Sequence, residues 1–426
     1  MKKIIIAICL YWLAGLTQAE LQVDPKILAN PEVLGVSKIR LARLDANLAQ
    51  YVAQDQLAGG VALVAKQGKV VYLNAFGQQD KEQQVAMQTD SLFRIASQTK
   101  AIVSVAIMML QEEGKLLLSD KVSQYLPAFA HMQVRVKDAD GQVSLQKAKR
   151  QITIRDLLTH TSGMGYGWGE YAHQWQQAGF TEWYFADKNQ PMAVWVNKIA
   201  QQPLEAQPGE RFVYGFNTDI LGVIIEKISG LTLGDFLAQK IFQPLAMHDT
   251  YFFVPANKQA RLATVYSANG TGNGKITRAP QQGFNVSQGH YLGNPGIAES
   301  GGAGLVSTAL DYAKFLQMLL NQGRYGEQHI LSPSSVALMT TNHLGDIKLD
   351  WLPGVGFGLG FTVVNDLGLR GVPGAVGEFG WGGAYHSTYW VDPKNDLLVV
   401  YLTQLIPAGD IDDHAKLRAL VYQALL

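Results

Sequence analysis

The chain has 426 residues, 47% of them hydrophobic, enough to bury a large core and to suggest two or three domain-sized units. Its 35 basic and 35 acidic side chains cancel and no basic run occurs, which argues against nucleic acid or an anionic membrane surface as a partner. The one cysteine, Cys9, falls in the opening segment, so the remainder has no thiol nucleophile and needs no disulfide.

Met1-Lys2-Lys3, the apolar run Ile4–Leu16 and then Thr17-Gln18-Ala19 have the layout of a secretory signal peptide, with cleavage expected after Ala19. The run is too short to cross a bilayer comfortably, so no stable membrane span is expected after cleavage and the mature chain is expected to be periplasmic or secreted. An uncleaved anchor is the alternative. From Val36 to Gln56, apolar residues recur at Ile39, Leu41, Leu44, Leu48 and Val52, the period of an amphipathic helix. Gly60–Lys66 and Lys69–Phe76 read as a hairpin turning at Gln67-Gly68.

Next comes Phe93-Arg94-Ile95-Ala96-Ser97-Gln98-Thr99-Lys100. On a helix, Ser97 and Lys100 share one face, with Cβ atoms about 5–6 Å apart. A serine hydroxyl is a weak nucleophile until a base takes its proton, and a lysine in a dry, cationic site can be that base. The run Ala101–Leu110 is apolar nearly all round, which marks a buried helix, with Gly114 as its C-terminal stop. Ser97 then sits at the helix N-terminus, where unpartnered backbone N–H groups can hold a developing oxyanion. Ser144-Leu145-Gln146-Lys147 has the same S-x-x-K spacing, but it lies in the polar run Lys137–Arg150 and reads as a solvated segment.

Thr153 is a candidate N-cap with Asp156 at N3. His160 follows, a general base on one reading and a structural histidine near a helix end on the other. Met164–Asp187 is dense in aromatics: Tyr166, Trp168, Tyr171, Trp175, Phe180, Trp183, Tyr184 and Phe185 either pack helices or wall an apolar acyl pocket. Met192–Gln202, Thr218–Gly230 and the stretch from Thr232 to Pro244 read as helices. Ser267–Pro295 is rich in Gly, Asn and Gln without periodicity and reads as a long functional flap. Thr308–Asn321 is helical. Gly358–Val364, Gly377–Val391 and Leu397–Gln404 alternate as strands, and Asp412–Leu426 closes the chain as a helix.

Strands at both ends with helices between them predict an α+β fold, a sheet built from both termini with a helical insertion. The expected units are a signal peptide at 1–19, a sheet domain from 20–115 and 300–426, and a mainly helical insertion at 116–299. Attack by Ser97 would need a second proton carrier and a second oxyanion donor. Tyr214 follows Pro208-Gly209 at a loop edge before a helix, where it can reach into a cleft. Glycines inside a strand mark close backbone approach, and Gly380-Trp381-Gly382-Gly383-Ala384 offers the amide of Ala384 as partner to that of Ser97.

In order and rough spacing, Ser97-x-x-Lys100, Ile152–Gly163, Pro208-Gly209…Tyr214, Ser300–Leu305 and Gly380–Ala384 resemble the serine β-lactamase and penicillin-binding-protein superfamily, from about Leu41 to the C-terminus. The resemblance implies an antiparallel sheet flanked by helices with an inserted all-helical domain, and an acyl-enzyme at Ser97. Two motifs depart from it. The asparagine of Tyr-x-Asn comes one place late, as Asn217, and Trp381-Gly382-Gly383 stands where β-lactamases have Lys-Thr-Gly. The second departure resembles family VIII carboxylesterases. Loss of that cation should weaken binding of an anionic β-lactam or peptide, while Trp381 offers apolar surface to an uncharged ester.

The expectation is therefore a serine hydrolase acting on small-molecule esters or amides, most simply a carboxylesterase. Ser97, Lys100 and Tyr214 are the catalytic candidates, and the amides of Ser97 and Ala384 form the oxyanion site. Trp381, Gly382, Gly383 and Asn217 are the substrate-binding candidates. Action on β-lactams or cell-wall peptides is the alternative, and a non-catalytic sensor on the same scaffold is a third reading. No G-x-S-x-G elbow occurs, against an α/β-hydrolase, and the nine histidines form no ligand-spaced cluster in sequence, so no metal or cofactor is expected.

Overall fold

A computed structural model describes residues 28–268, 275–281, 286–292 and 297–426. The expected signal peptide lies outside the described residues. The fold is mixed, with helices on both faces of a large antiparallel sheet. Helix α1 (Lys38–Ala53) is capped by the Ser37 hydroxyl and buries Leu41, Leu44 and Leu48. Ile39, expected on the same face, is 79% exposed, because at about 100° per residue it points away from Leu41, Leu44 and Leu48.

The sheet has eight strands: β1 (Gly59–Lys66), β2 (Lys69–Asp80), β3 (Val85–Ala86), β4 (Val355–Phe357), β5 (Thr362–Val364), β6 (Phe379–Gly383), β7 (Ser387–Asp392) and β8 (Leu397–Thr403). Their order is β4-β5-β6-β7-β8-β1-β2-β3, so the two ends of the chain meet where β1 pairs with β8, Ala62 opposite Tyr401. Between β3 and β4 the described chain contributes no strand to this sheet. The hairpin at Gln67-Gly68 forms as read.

Side-chain alternation sends each strand's residues into two cores. Ala62, Val64, Val399 and Tyr401 pack with α1 and the C-terminal helix α7 (Asp413–Tyr422). Val61, Leu63, Val400 and Leu402 face the opposite way, against α2 (Thr99–Glu112) and α6 (Ala309–Leu320). Helix α2 is buried from Thr99 to Met108 and again at Leu110, and Gly114 turns out of it at φ 68°. The capping box predicted at Thr153 and Asp156 starts α3 (Ile154–Leu158). Helices α4 (Met192–Ile199) and α5 (Asn217–Ser229) follow.

Three expectations need correction. Gly358–Val364 is not one strand, because residues 358–361 turn the chain from β4 into β5, and only Thr362–Val364 is extended. Gly377–Val391 is not one strand, because Ala384-Tyr385-His386 turns the chain from β6 into β7, with His386 at φ 60°. The expected flap holds a short ribbon pairing Tyr266–Ala268 with Ile276–Arg278, and its remaining segments, 269–274, 282–285 and 293–296, lie outside the described residues. The second S-x-x-K, at Ser144 and Lys147, sits on an exposed strand as read.

Candidate active site

A single short turn, Ala96–Gln98, leads into α2, and Ser97 lies in it one turn ahead of Lys100. Ala96 adopts φ 41°, a left-handed conformation that costs a residue with a Cβ of order 1–3 kcal/mol and persists only where surrounding contacts enforce it. Strand β6 lies directly against this turn. A Cβ added at Gly383 would stand 2.4 Å from the carbonyl oxygen of Ile95, so only glycine lets the strand approach the Ser97 turn.

Lys100 is fully buried. Its Nζ donates to Ser97 Oγ at 3.2 Å, Tyr166 Oη at 3.0 Å and the Gly302 carbonyl at 2.8 Å, all neutral oxygens. It also stands 4.6 Å from the centroid of the Tyr214 ring. Gly302 is also held through its N–H, which donates to Asp219 Oδ1 at 3.0 Å, and Ser300 Oγ donates to the same oxygen at 2.5 Å. Asp219 is completely buried, and burial raises its pKa despite those hydrogen bonds and the charge of Lys100. A Cβ at Gly302 would meet Asp219 Oδ2 at 2.4 Å, which explains a glycine there.

Tyr214 is half-buried, and its hydroxyl accepts from Trp381 Nε1 at 3.1 Å. Tyr166 is buried, which pushes its pKa well above the ordinary phenol value, with the nearby Asp219 carboxylate acting the same way, so it stays a neutral hydroxyl. The two tyrosines meet edge to face at 5.6 Å.

These groups open on a cleft of about 670 Å³ lined by Ser97, Tyr166, Trp168, Trp183, Tyr214 and Trp351, with Trp381, Gly382, Gly383 and Ala384 along one wall. The aromatic segment divides between packing and the cleft. Trp175, Phe180 and Phe185 pack on Phe216 at 5.2, 5.4 and 5.7 Å, while Tyr166, Trp168 and Trp183 face the cleft.

Asn217 does not face the cleft, which overturns its expected role in substrate binding. It is the first residue of α5, fully buried, and its Nδ2 donates to His160 Nδ1 at 2.9 Å and to the carbonyls of Met164 and Val213 at 3.2 and 3.3 Å. Its Oδ1 accepts from Ser162. This network fixes the role of His160. The amide donates to Nδ1, so Nδ1 carries a lone pair and the ring is neutral, in keeping with burial and the charge of Lys100 lowering its pKa well below the usual value. His160 is structural, its ring 4.7 Å from that of Tyr214.

Sequence reasoning missed Tyr166 and Asp219 as neighbours of Lys100. Tyr166 was one of eight aromatics in its segment and Asp219 one acid inside a helix, and nothing local distinguishes either.

A model of the beta-lactamase family matches residues 44–423. Protein Rv1367c from Mycobacterium tuberculosis is 36% identical over 371 residues, covering 84% of this chain and 88% of its own. Esterase EstB from Burkholderia gladioli is 31% identical over 390 residues, covering 86% and 91%. Among solved structures, EstCE1, described as a hydrolase with promiscuous acyltransferase activity, superposes with a TM-score of 0.76 at 29% identity, covering 90% of this chain and 99% of its own. With the match spanning sheet, helices and cleft alike, the chain belongs to the beta-lactamase family.

Proposed function

We propose that the protein is a carboxylesterase acting through an acyl-enzyme at Ser97. The observation that carries this reading is the 3.2 Å contact between Ser97 Oγ and the buried amine of Lys100, at the floor of a cleft walled by tryptophan and tyrosine. With Lys100 in its neutral form, Ser97 Oγ attacks the ester carbonyl carbon and the amine takes the hydroxyl proton. The negative charge that develops on the carbonyl oxygen is met by the amides of Ser97 and Ala384. The proton passes to the leaving alkoxide, with Tyr214 and Tyr166 beside the amine to share the transfer, and the alcohol departs. Water then attacks the acyl carbon, loses its proton to the same amine, and the acid leaves with Ser97 restored. Each proton carrier is worth roughly 10²–10⁴-fold.

Ester preference rests on the wall of the cleft. Trp381, where a cation would hold a substrate carboxylate, presents an indole ring to the cleft, and Trp351 meets it edge to face at 6.1 Å. Uncharged apolar substrates fit such a wall better than anions. Similarity to EstB and EstCE1 supports the same reading. The test compares a short-chain nitrophenyl ester with a chromogenic cephalosporin. The reading expects the ester to be turned over faster; a clear preference for the cephalosporin would reject it in favour of β-lactam chemistry.

A further inference from the structure

Beside Ala384 the same cleft holds a cluster that ester hydrolysis does not use. His386 ends the turn between β6 and β7, and its Nε2 lies 2.7 Å from Asp413 Oδ1 at the start of α7. Asp413 is fully buried, and its other oxygen accepts from Tyr401 Oη at 2.8 Å. His414, the next residue, stacks its ring on His386 with centroids 4.0 Å apart and planes 16° from parallel. One ligating atom from each of the three lies within 4.8 Å of the other two. Both imidazoles are partly exposed and line the cleft that holds Ser97. The nearest cations on α7 are already neutralised, Lys416 by Asp412 at 3.0 Å and Arg418 by Glu378 at 2.8 Å.

We propose that His386, Asp413 and His414 bind one divalent transition-metal ion of the zinc class, and that its binding slows turnover at Ser97. Two imidazoles and one carboxylate suit Zn²⁺, Ni²⁺ or Cu²⁺, whereas Mg²⁺ and Ca²⁺ require oxygen ligands throughout. The Tyr401 hydroxyl supports the carboxylate from behind, as outer partners of metal ligands commonly do. The cleft leaves the remaining coordination positions to water. To converge on one ion the two near-parallel rings must turn.

The link to turnover is geometric. Ligand atoms about 2.0–2.2 Å from a tetrahedral ion stand roughly 3.3–3.5 Å apart, so His386 Nε2 and Asp413 Oδ1 must separate by about half an ångström or more. His386 is two residues from Ala384 in the same turn, and the part of that separation which ring rotation does not absorb falls on this turn. A displacement of that order at a group aimed at the transition state costs rate steeply. This second half of the proposal rests on the oxyanion reading of Ala384; the binding half does not.

The test uses untagged, chelator-stripped protein titrated with Zn²⁺ against a chromophoric chelator. One ion per chain is expected, with affinity at least about tenfold weaker in His414→Gln. Absence of a saturable site, or affinity unchanged in His414→Gln and His386→Gln, overturns the site. Tyr401→Phe keeps all three ligands and guards against a misfolded variant, with a drop of about 10–100-fold expected. Ester turnover, each protein scaled to its own metal-free rate, should fall as Zn²⁺ fills the wild-type site, recover with chelator, and stay level in His414→Gln. Binding without any change in turnover would retain the site and reject its coupling to Ala384. If no ester is hydrolysed at all, the carboxylesterase reading fails and the binding result stands by itself.

Discussion

The account turns on how closely β6 approaches the Ser97 turn, and Gly383→Ala perturbs that approach directly. The added Cβ would lie 2.4 Å from the Ile95 carbonyl oxygen and 2.5 Å from Ser387 Oγ, and the former already accepts from the Gln98 amide at 3.0 Å. Ordinary contact begins at 3.4 Å, so the strand and the turn must part by about 1 Å. Such a displacement separates the amides of Ser97 and Ala384, and a misplacement of about 1 Å can cost about 10²-fold in rate, or ~2.7 kcal/mol of transition-state stabilisation. Overpacking should also lower stability by about 1–3 kcal/mol. The assay is kcat/KM on a nitrophenyl ester alongside a thermal melt. Gly383→Ala that folds and retains wild-type turnover would refute the reasoning.

Asn217→Ala removes a buried amide whose partners are left unsatisfied, and melting should show a loss of about 1–3 kcal/mol or more. A variant of undiminished stability would contradict the structural role given to Asn217. His160 is held neutral in the fold with a lowered pKa, so it contributes nothing above its unfolded value of about 6.5. Below that pH the unfolded chain takes up a proton that the native state refuses. Stability should then fall by up to about 1.4 kcal/mol per pH unit, and His160→Gln should flatten that slope in denaturant titrations at pH 5 to 7. Tyr166→Phe deletes the oxygen that Lys100 contacts at 3.0 Å; if Tyr166 shares the proton transfers, kcat should fall with KM little changed. A rise in KM alone would instead make it a binding residue.

Much of this was legible because it is local. Ser97 and Lys100 are three residues apart, the apolar run behind them announces a buried helix, and Thr153 with Asp156 is a capping signal written within four residues. What escaped is long-range. Lys100 meets Tyr166 across 66 positions and Gly302 across 202, distances at which spacing carries no signal. Asn217 misled because the motif that suggested it arrives one residue late, and one residue on a helix start turns the side chain from the cleft into the core. The break at Ala384–His386 was hidden because alternation continues through both strands of a hairpin. His386 and Asp413 are 27 residues apart, so histidine spacing gave no hint of the cluster that the fold assembles.

Acylation itself is the most direct test. Intact-protein mass spectrometry after brief exposure to activated esters, followed by peptide mapping, should show one acyl group on Ser97 and none on Ser97→Ala. An adduct on another residue, or no adduct in protein that turns over ester, would contradict Ser97 as the nucleophile.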